Sequence, residues 1–75
     1  MPTAREAHSN KITVYLSRAE LLALEDARLV LMREHGIDVD RGRMVREAIG
    51  ALVDDLTAQR DRSVLVQRLQ YLAVQ

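Results

Sequence analysis

The sequence predicts a small, mostly α-helical fold with one short strand near the N-terminus. Polar and apolar residues alternate over residues 11–17, and stretches with helical spacing follow that segment. The chain has 75 residues, which is one domain at most, and so short a domain is only marginally stable alone. It has no cysteine for disulfides or thiolate metal sites, so we expect association with a partner to stabilise it.

The predicted strand, KITVYLS, has one apolar face and one polar face. The apolar side chains are Ile12, Val14 and Leu16, and the polar ones are Lys11, Thr13 and Tyr15. No other stretch of the chain alternates in this way. The strand therefore has no hydrogen-bonding partner in its own chain.

A first helix is predicted from about residue 18 to residue 34. Ser17 suits the N-cap position, Glu20 completes a capping box, and Gly36 can adopt the left-handed conformation that ends a helix. The main apolar stripe of this helix is Leu21, Leu24, Ala27 and Leu31. Leucine and valine also occur on its other sides, at residues 22, 29 and 30, so we expect a second protein surface to cover them.

A second helix is predicted to begin after Asp40, which suits the N-cap, with the basic sequence Arg41-Gly42-Arg43. Its apolar residues keep the spacing of one helix face: Met44, Val45, Ala48, Ile49, Leu52, Val53 and Leu56. This is the clearest periodicity in the sequence, and it predicts an amphipathic helix.

The apolar spacing ends near residues 57–63, because continuing it would place Arg60 and Ser63 on the apolar face. We therefore predict a break there and a third helix, capped by Asp61. The apolar face of that helix is Val64, Leu65, Leu69 and Leu72.

Charge is distributed unevenly along the chain. The formal net charge is zero, with 11 basic and 11 acidic residues, and this total alone argues against nucleic-acid binding. However, residues 1–18 have a net charge of +2 and residues 41–46 of +3, while residues 19–40 have −4. If the two basic segments meet in space, they form a positive face that the neutral total conceals.

Residues 11–56 resemble the ribbon-helix-helix family of DNA-binding proteins, to which the Arc and MetJ repressors belong. The marks are the alternating strand ending in LS, the ALE of the first helix, the glycine turn, and RGRMVREAI, which is similar to the family's small or polar cap followed by IREAI. The resemblance covers about 46 of the 75 residues. It implies a DNA-binding and dimerisation domain at residues 11–56. Residues 1–10 have little apolar periodicity and are expected to form a flexible arm, and residues 57–75 are expected to form a helical extension.

The resemblance implies an intertwined homodimer, in which the strands of two chains pair as an antiparallel two-stranded ribbon. In this arrangement Lys11, Thr13 and Tyr15 enter the major groove of double-stranded DNA and contact base edges. The implied dimer core is Ile12, Val14, Leu16, Leu24, Leu31, Val45, Ile49 and Leu52. The alternative is that the polar residues of the strand form only a solvated face.

The family also holds a DNA phosphate at the start of its second helix, where free N–H groups and the helix dipole attract anions. The phosphate-binding residues implied here are Arg41, Gly42, Arg43, Arg46 and Arg5. Family members often have serine where this chain has Gly42, so one hydroxyl contact is missing. Asp40 weakens such a site unless its capping bonds turn the carboxylate away. The alternative is a solvated helix face with pairs such as Arg43 to Glu47, and a disordered Arg5.

The predicted function is a sequence-specific DNA-binding regulator of transcription, a repressor of its own or a neighbouring operon. Three alternatives stay open: an antitoxin whose last helix binds a toxin, a plasmid or chromosome partition adaptor that works with an ATPase, and a helical dimer that binds only proteins. The candidate contacts for such a partner, or for a dimer of dimers, are Leu65, Leu69 and Leu72. The last helix alternatively only caps the dimer.

Several other classes of protein are not expected. There is no Gly-rich phosphate loop or recognisable nucleophile grouping, and Asp54 and Asp55 fit a polar helix face, so we predict no enzyme and no cofactor. His8 and His35 are isolated and do not match the ligand set of the family's nickel-responsive repressors, so no metal site is predicted. No apolar run approaches the roughly 20 residues of a membrane span, and the N-terminus lacks the apolar core of a signal peptide. We therefore predict a soluble, cytoplasmic protein associated with the nucleoid.

Overall fold

The computed structural model describes residues 10–73, with side chains up to residue 71, as three α-helices joined by short connections. Helix α1 is Arg18–His35, helix α2 is Arg41–Gln59 and helix α3 is Val64–Ala73. A 3-10 turn, Arg60–Arg62, separates α2 from α3. Within the described ranges no helix is both long enough and apolar enough to cross a membrane.

Local sequence sets both ends of α1, as predicted. The Ser17 hydroxyl accepts a hydrogen bond from the Glu20 N–H over 3.1 Å, and the Glu20 carboxylate accepts one from the Ser17 N–H over 2.8 Å. These two bonds form the predicted capping box. At the other end Gly36 has a φ of 67°, and its N–H donates to the carbonyl oxygen of Met32 over 3.1 Å. This left-handed conformation suits glycine because it has no Cβ to clash.

The predicted strand is absent. Residues 10–17, which we call the N-terminal segment, have no regular secondary structure, and the described part of the chain contains no strand. The prediction of a ribbon-helix-helix fold, an intertwined dimer built on a two-stranded ribbon, is therefore wrong. Alternation decides which side chains share a face of an extended chain, but a strand also requires a ladder of backbone hydrogen bonds. Among the hydrogen bonds of residues 10–73, none joins the backbone of residues 10–16 to another segment.

The three helices share almost no interior. No apolar side chain in residues 10–71 is buried, and Ser63 is the only residue of that range that is fully enclosed. The Cα radius of gyration is 14.8 Å, whereas a compact chain of this length has about 11 Å. The accessible surface is 7147 Å², whereas a compact folded protein of this mass exposes roughly 4,700 Å². The helices therefore have well-defined ends but no core of their own.

Helices α1 and α2 shield only part of their apolar faces from water. The half-buried apolar side chains of the two helices are Leu24, Leu29 and Leu31 in α1, and Met44, Leu52 and Leu56 in α2. Leu29, which the apolar spacing placed away from the main stripe, is thus among the shielded residues. Leu21, which belongs to the predicted stripe, is exposed. A single copy of the chain therefore covers about half of each predicted apolar face.

The break after α2 occurs where the sequence predicts it, but α3 is capped by other residues. The Ser63 hydroxyl accepts a hydrogen bond from the Val66 N–H over 3.2 Å, and the Asp55 carboxylate of α2 accepts one from the Val64 N–H over 2.7 Å. The predicted cap, Asp61, lies in the 3-10 turn instead. Asp55 was predicted on the solvent side of α2, and it is half-buried because it reaches the start of α3.

Candidate nucleic-acid interface

The N-terminal segment is exposed along its whole length. Tyr15 is 92% exposed and Ile12 is 80% exposed, although the sequence places them on opposite faces. The other candidates of the segment are exposed too: Lys11 and Thr13 for base contacts, and Val14 and Leu16 for the dimer core. Burial in one chain therefore does not distinguish a DNA-facing side from a core-facing side.

The start of α2 is the second candidate element, and Asp40 caps it as predicted. The Asp40 carboxylate accepts a hydrogen bond from the Arg43 N–H over 2.7 Å, so it lies across the helix N-terminus. One of the N–H groups that a phosphate could use is already satisfied, and a negative charge already occupies the positive end of the helix dipole. The carboxylate is thus not turned away, and an anion that reaches this end competes with Asp40.

The arginines of this helix start differ in their ionic partners. Arg43 pairs with Glu47, one turn later in the same helix, with 2.9 Å between Nε and Oε2. Arg41 pairs with Glu25 of α1, with 3.7 Å between Nη1 and Oε2. Arg46 has no ion pair within residues 10–73. The pair of Arg43 and Glu47 is the alternative that their spacing in the sequence suggested.

Gly42 lies in the first turn of α2, between Asp40 and Arg46. A Cβ at this position would lie 3.4 Å from Asp40 Oδ1 and 3.4 Å from Arg46 Nη1, which is close to ordinary contact. The Arg46 guanidinium therefore lies over the first turn, although it forms no ion pair with the capping carboxylate. We call Arg41, Gly42, Arg43 and Arg46 the basic helix start. Arg5, the remaining candidate for phosphate contact, lies outside the described residues.

Glu25 lies between two arginines in what we call the acid–base cluster, which is Glu25, Arg28 and Arg41. Its Oε1 is 3.1 Å from Arg28 Nε, and its Oε2 is 3.7 Å from Arg41 Nη1. Together with Asp40, these residues line a shallow cleft of about 270 Å³. This cluster could not be predicted from the sequence pattern because residues 25 and 41 belong to different helices. The only available signal was the helical spacing of Glu25 and Arg28.

An apolar cleft of about 420 Å³ lies where the chain turns from α1 into α2. Its lining residues are Leu31, Ile37, Asp38, Val39, Arg43, Met44 and Glu47. Leu31, Val39 and Met44 are half-buried, and Ile37 is exposed. The connection between α1 and α2 therefore has an apolar surface that one chain leaves open to water.

The fold divides the predicted dimer-core residues into two groups. Leu24, Leu31 and Leu52 are half-buried within the single chain. Val45 and Ile49 are exposed, and Ile49 keeps 52% of its surface in contact with water. Val53 is exposed one turn further along the same side of α2. We call Val45, Ile49 and Val53 the outer stripe of α2.

The predicted partner contacts of α3 differ in how exposed they are. Leu65 is half-buried, whereas Leu69 is 59% exposed. The side chain of Leu72 lies outside the described residues. Tyr71, which the apolar spacing did not identify, is also exposed. Leu69 and Tyr71 are therefore the described residues of α3 that offer the most open apolar surface.

Comparison of the chain with protein-family models, with curated proteins and with solved structures finds no match in any of the three.

Proposed function

We propose that this chain is a DNA-binding regulator of transcription that acts as a homodimer and is associated with the nucleoid in the cytoplasm. The observation that supports this best is the position of three exposed arginines, Arg41, Arg43 and Arg46, in the first two turns of α2. No acidic residue lies between Asp40 and Glu47. Cations grouped on the end of a rigid helix are suited to neutralise DNA phosphates.

A second copy of the chain is part of this proposal because one copy leaves its apolar faces open. Covering the outer stripe of α2 stabilises the folded state by about 25 cal/mol for each Å² of apolar surface removed from water. The accessible surface is also far larger than a compact protein of this mass exposes. A dimer presents two basic helix starts, which matters for a chain whose net charge is zero.

The N-terminal segment supplies the base contacts in this proposal, without pairing into a ribbon. Lys11, Thr13 and Tyr15 are exposed, and the Ser17 cap holds the end of the segment against α1. Lysine donates to the O6 and N7 atoms of guanine, threonine bonds to either kind of base edge, and tyrosine adds a hydroxyl and an apolar ring. Irregular N-terminal arms make groove contacts in other classes of DNA-binding protein.

A helical dimer that binds only other proteins is the second candidate. The ion pairs of Arg41 and Arg43 favour it, because each pair neutralises a cation that DNA binding would use. The exposed Leu69 and Tyr71 of α3 favour it as well, since a protein partner such as a toxin can cover an apolar surface. This candidate predicts association without affinity for phosphates.

The salt dependence of DNA binding separates the two candidates. The purified chain is titrated against a labelled DNA duplex of mixed sequence at several salt concentrations. The DNA-binding proposal predicts that the logarithm of affinity falls linearly with the logarithm of salt concentration, by about 0.9 for each neutralised phosphate. Absence of any salt-dependent binding contradicts it and favours the protein-binding dimer.

Two matched variants test the assignment of the basic helix start. Arg46→Ala removes the arginine of α2 that has no ion pair in the described residues, and the salt slope should decrease by about 0.9 for each copy that contacts a phosphate. Arg33→Ala removes the same charge from the last turn of α1 and should leave the slope unchanged. Equal decreases for the two variants contradict a specific role of the basic helix start.

A further inference from the structure

We infer that Glu25 is an internal counter-ion that withholds Arg41 from DNA, so that the number of phosphates the chain neutralises depends on a carboxylate of α1. This inference rests on the proposed DNA-binding function and adds a residue that modulates it. Glu25 itself is not among the residues predicted to contact DNA, because it belongs to the most acidic part of the sequence, residues 19–40.

The first support for this inference is the geometry of the acid–base cluster. Glu25 uses both of its carboxylate oxygens, Oε1 towards Arg28 at 3.1 Å and Oε2 towards Arg41 at 3.7 Å. Its side chain is only 34% exposed, whereas that of Arg41 is 56% exposed. The Arg28 side chain is 31% exposed, so Arg28 holds the carboxylate in place and Arg41 is the more exposed of its two partners. A phosphate that takes Arg41 must separate it from a carboxylate that is held in place.

The charge of the surrounding cleft also supports the inference that Arg41 is withheld from DNA. Its four lining residues are two acids and two arginines, Glu25, Arg28, Asp40 and Arg41. The positive charge of the arginines is therefore balanced within the cleft. A phosphate that approaches Arg41 also meets the Asp40 carboxylate, which lies across the helix N-terminus. Arg41 belongs to the basic helix start in the sequence, but its charge is balanced by the carboxylates of the cleft.

Arg43 differs from Arg41, although it has a shorter ion pair. Arg43 and Glu47 lie one turn apart on α2, and both side chains are more than half exposed, at 60% and 70%. Exposed pairs at this spacing are weak, so a phosphate can replace Glu47 as the partner of Arg43. The pair of Arg41 and Glu25 joins two helices and includes a half-buried carboxylate that a second arginine holds. Arg41 is therefore the arginine whose availability the fold controls.

Affinity for mixed-sequence duplex DNA, measured against salt concentration, tests this inference with four proteins. They are the unaltered chain, Glu25→Gln, Asp26→Asn and Glu25→Gln combined with Arg41→Ala. Asp26→Asn is the matched control, because it removes the same charge from the neighbouring position, where the residue is exposed and has no ion pair within residues 10–73. Circular dichroism of each protein reports whether the helices are retained.

We expect Glu25→Gln to raise the affinity by roughly two- to fivefold at moderate salt, because a partly exposed ion pair is weak. The salt slope should steepen by about 0.9 for each chain in contact with DNA. Asp26→Asn should produce a smaller rise in affinity and no change of slope. The added Arg41→Ala should return the slope to that of the unaltered chain. This last result identifies Arg41 as the cation that Glu25→Gln releases.

Three outcomes overturn the inference while leaving the proposed function intact. Equal effects of Glu25→Gln and Asp26→Asn mean that only net charge matters. A fall in affinity on Glu25→Gln means that Glu25 orients Arg41 for binding and does not withhold it. A gain that persists after Arg41→Ala means that another cation is released. If none of the four proteins binds DNA in a salt-dependent manner, the proposed function fails, and the inference fails with it.

Discussion

The carboxylate of Asp55 in α2 accepts a hydrogen bond from the backbone N–H of Val64, the first residue of α3, over 2.7 Å. The first N–H groups of a helix have no partner within the helix, so this bond satisfies one of them from a neighbouring helix. Ser63, which is fully enclosed, satisfies another by accepting a hydrogen bond from Val66. The corner between α2 and α3 is thus defined by two side-chain caps from different elements.

Asp55→Ala should lower the free energy of unfolding by about 1 kcal/mol, because the start of α3 loses one of its two caps. The control is Asp54→Ala, which makes the same change at the preceding, exposed position of α2 and leaves both caps in place. Urea denaturation followed by circular dichroism, at one fixed protein concentration, measures the difference. Equal stability of the two variants contradicts the role of Asp55 as a cap.

Arg60→Gly should stabilise the chain. Arg60 ends α2 with φ of 51° and ψ of −113°, and it is the only non-glycine residue of the described chain with a positive φ. A side chain in such a region costs of order 1 kcal/mol or more, and glycine adopts it without that cost.

Arg62→Gly is the matched control for this prediction, since it lies in the same 3-10 turn without a positive φ. It should destabilise the chain by up to about 1 kcal/mol, because glycine gains more freedom on unfolding. Thermal unfolding of both variants at one protein concentration shows whether each substitution raises or lowers the stability of the fold. A loss of stability in Arg60→Gly means that contacts of the arginine outweigh its backbone strain.

Alanine substitutions at two glycines should have opposite effects. Gly36 ends α1 with φ of 67°, so Gly36→Ala should cost about 1 kcal/mol of stability. Gly50 lies inside α2, and beyond its chain neighbours and the local helix backbone no atom lies within 4 Å of a Cβ built there, so Gly50→Ala should add roughly 0.5 to 1 kcal/mol. The denaturant midpoints of the two variants show whether each substitution raises or lowers the stability of the fold. A loss of stability in Gly50→Ala indicates that another surface packs against this side of α2.

Ile49→Ser should dissociate the proposed homodimer. Ile49 is the middle residue of the outer stripe of α2, and a serine there removes apolar surface from the place where the second copy is expected to pack. Leu69→Ser is the control, because it removes a similarly exposed apolar side chain from α3.

Sedimentation of the two variants across a range of concentrations measures the dimer dissociation constant. We expect a weaker dimer for Ile49→Ser and an unchanged one for Leu69→Ser. The concentration dependence of the melting temperature should decrease in parallel, since association stabilises only the folded chain. The reverse order of effects places the interface on α3 and contradicts the assignment to the outer stripe.

The interactions that were predicted correctly from the sequence all close within about one helical turn. Ser17 and Glu20 are three residues apart and form their capping box as predicted. Asp40 caps α2 by bonding to a residue three positions later, and Arg43 pairs with a residue four positions later. The basic helix start was predictable for the same reason, since one short stretch of sequence contains all of it.

Interactions between distant segments were decided only by the tertiary structure. The alternation of residues 11–17 predicted a strand, but the ladder that defines a strand depends on a neighbouring segment that the described chain does not supply. Asp55 and Val64 are nine residues apart, and Glu25 and Arg41 lie on different helices. The identity of these residues did not predict their contacts, because the directions in which Gly36 and Arg60 turn the chain decide which helix faces meet. Sequence therefore determined where α1 begins and ends and where α2 begins, whereas the relative placement of the helices determined which charges are neutralised and which apolar faces remain open.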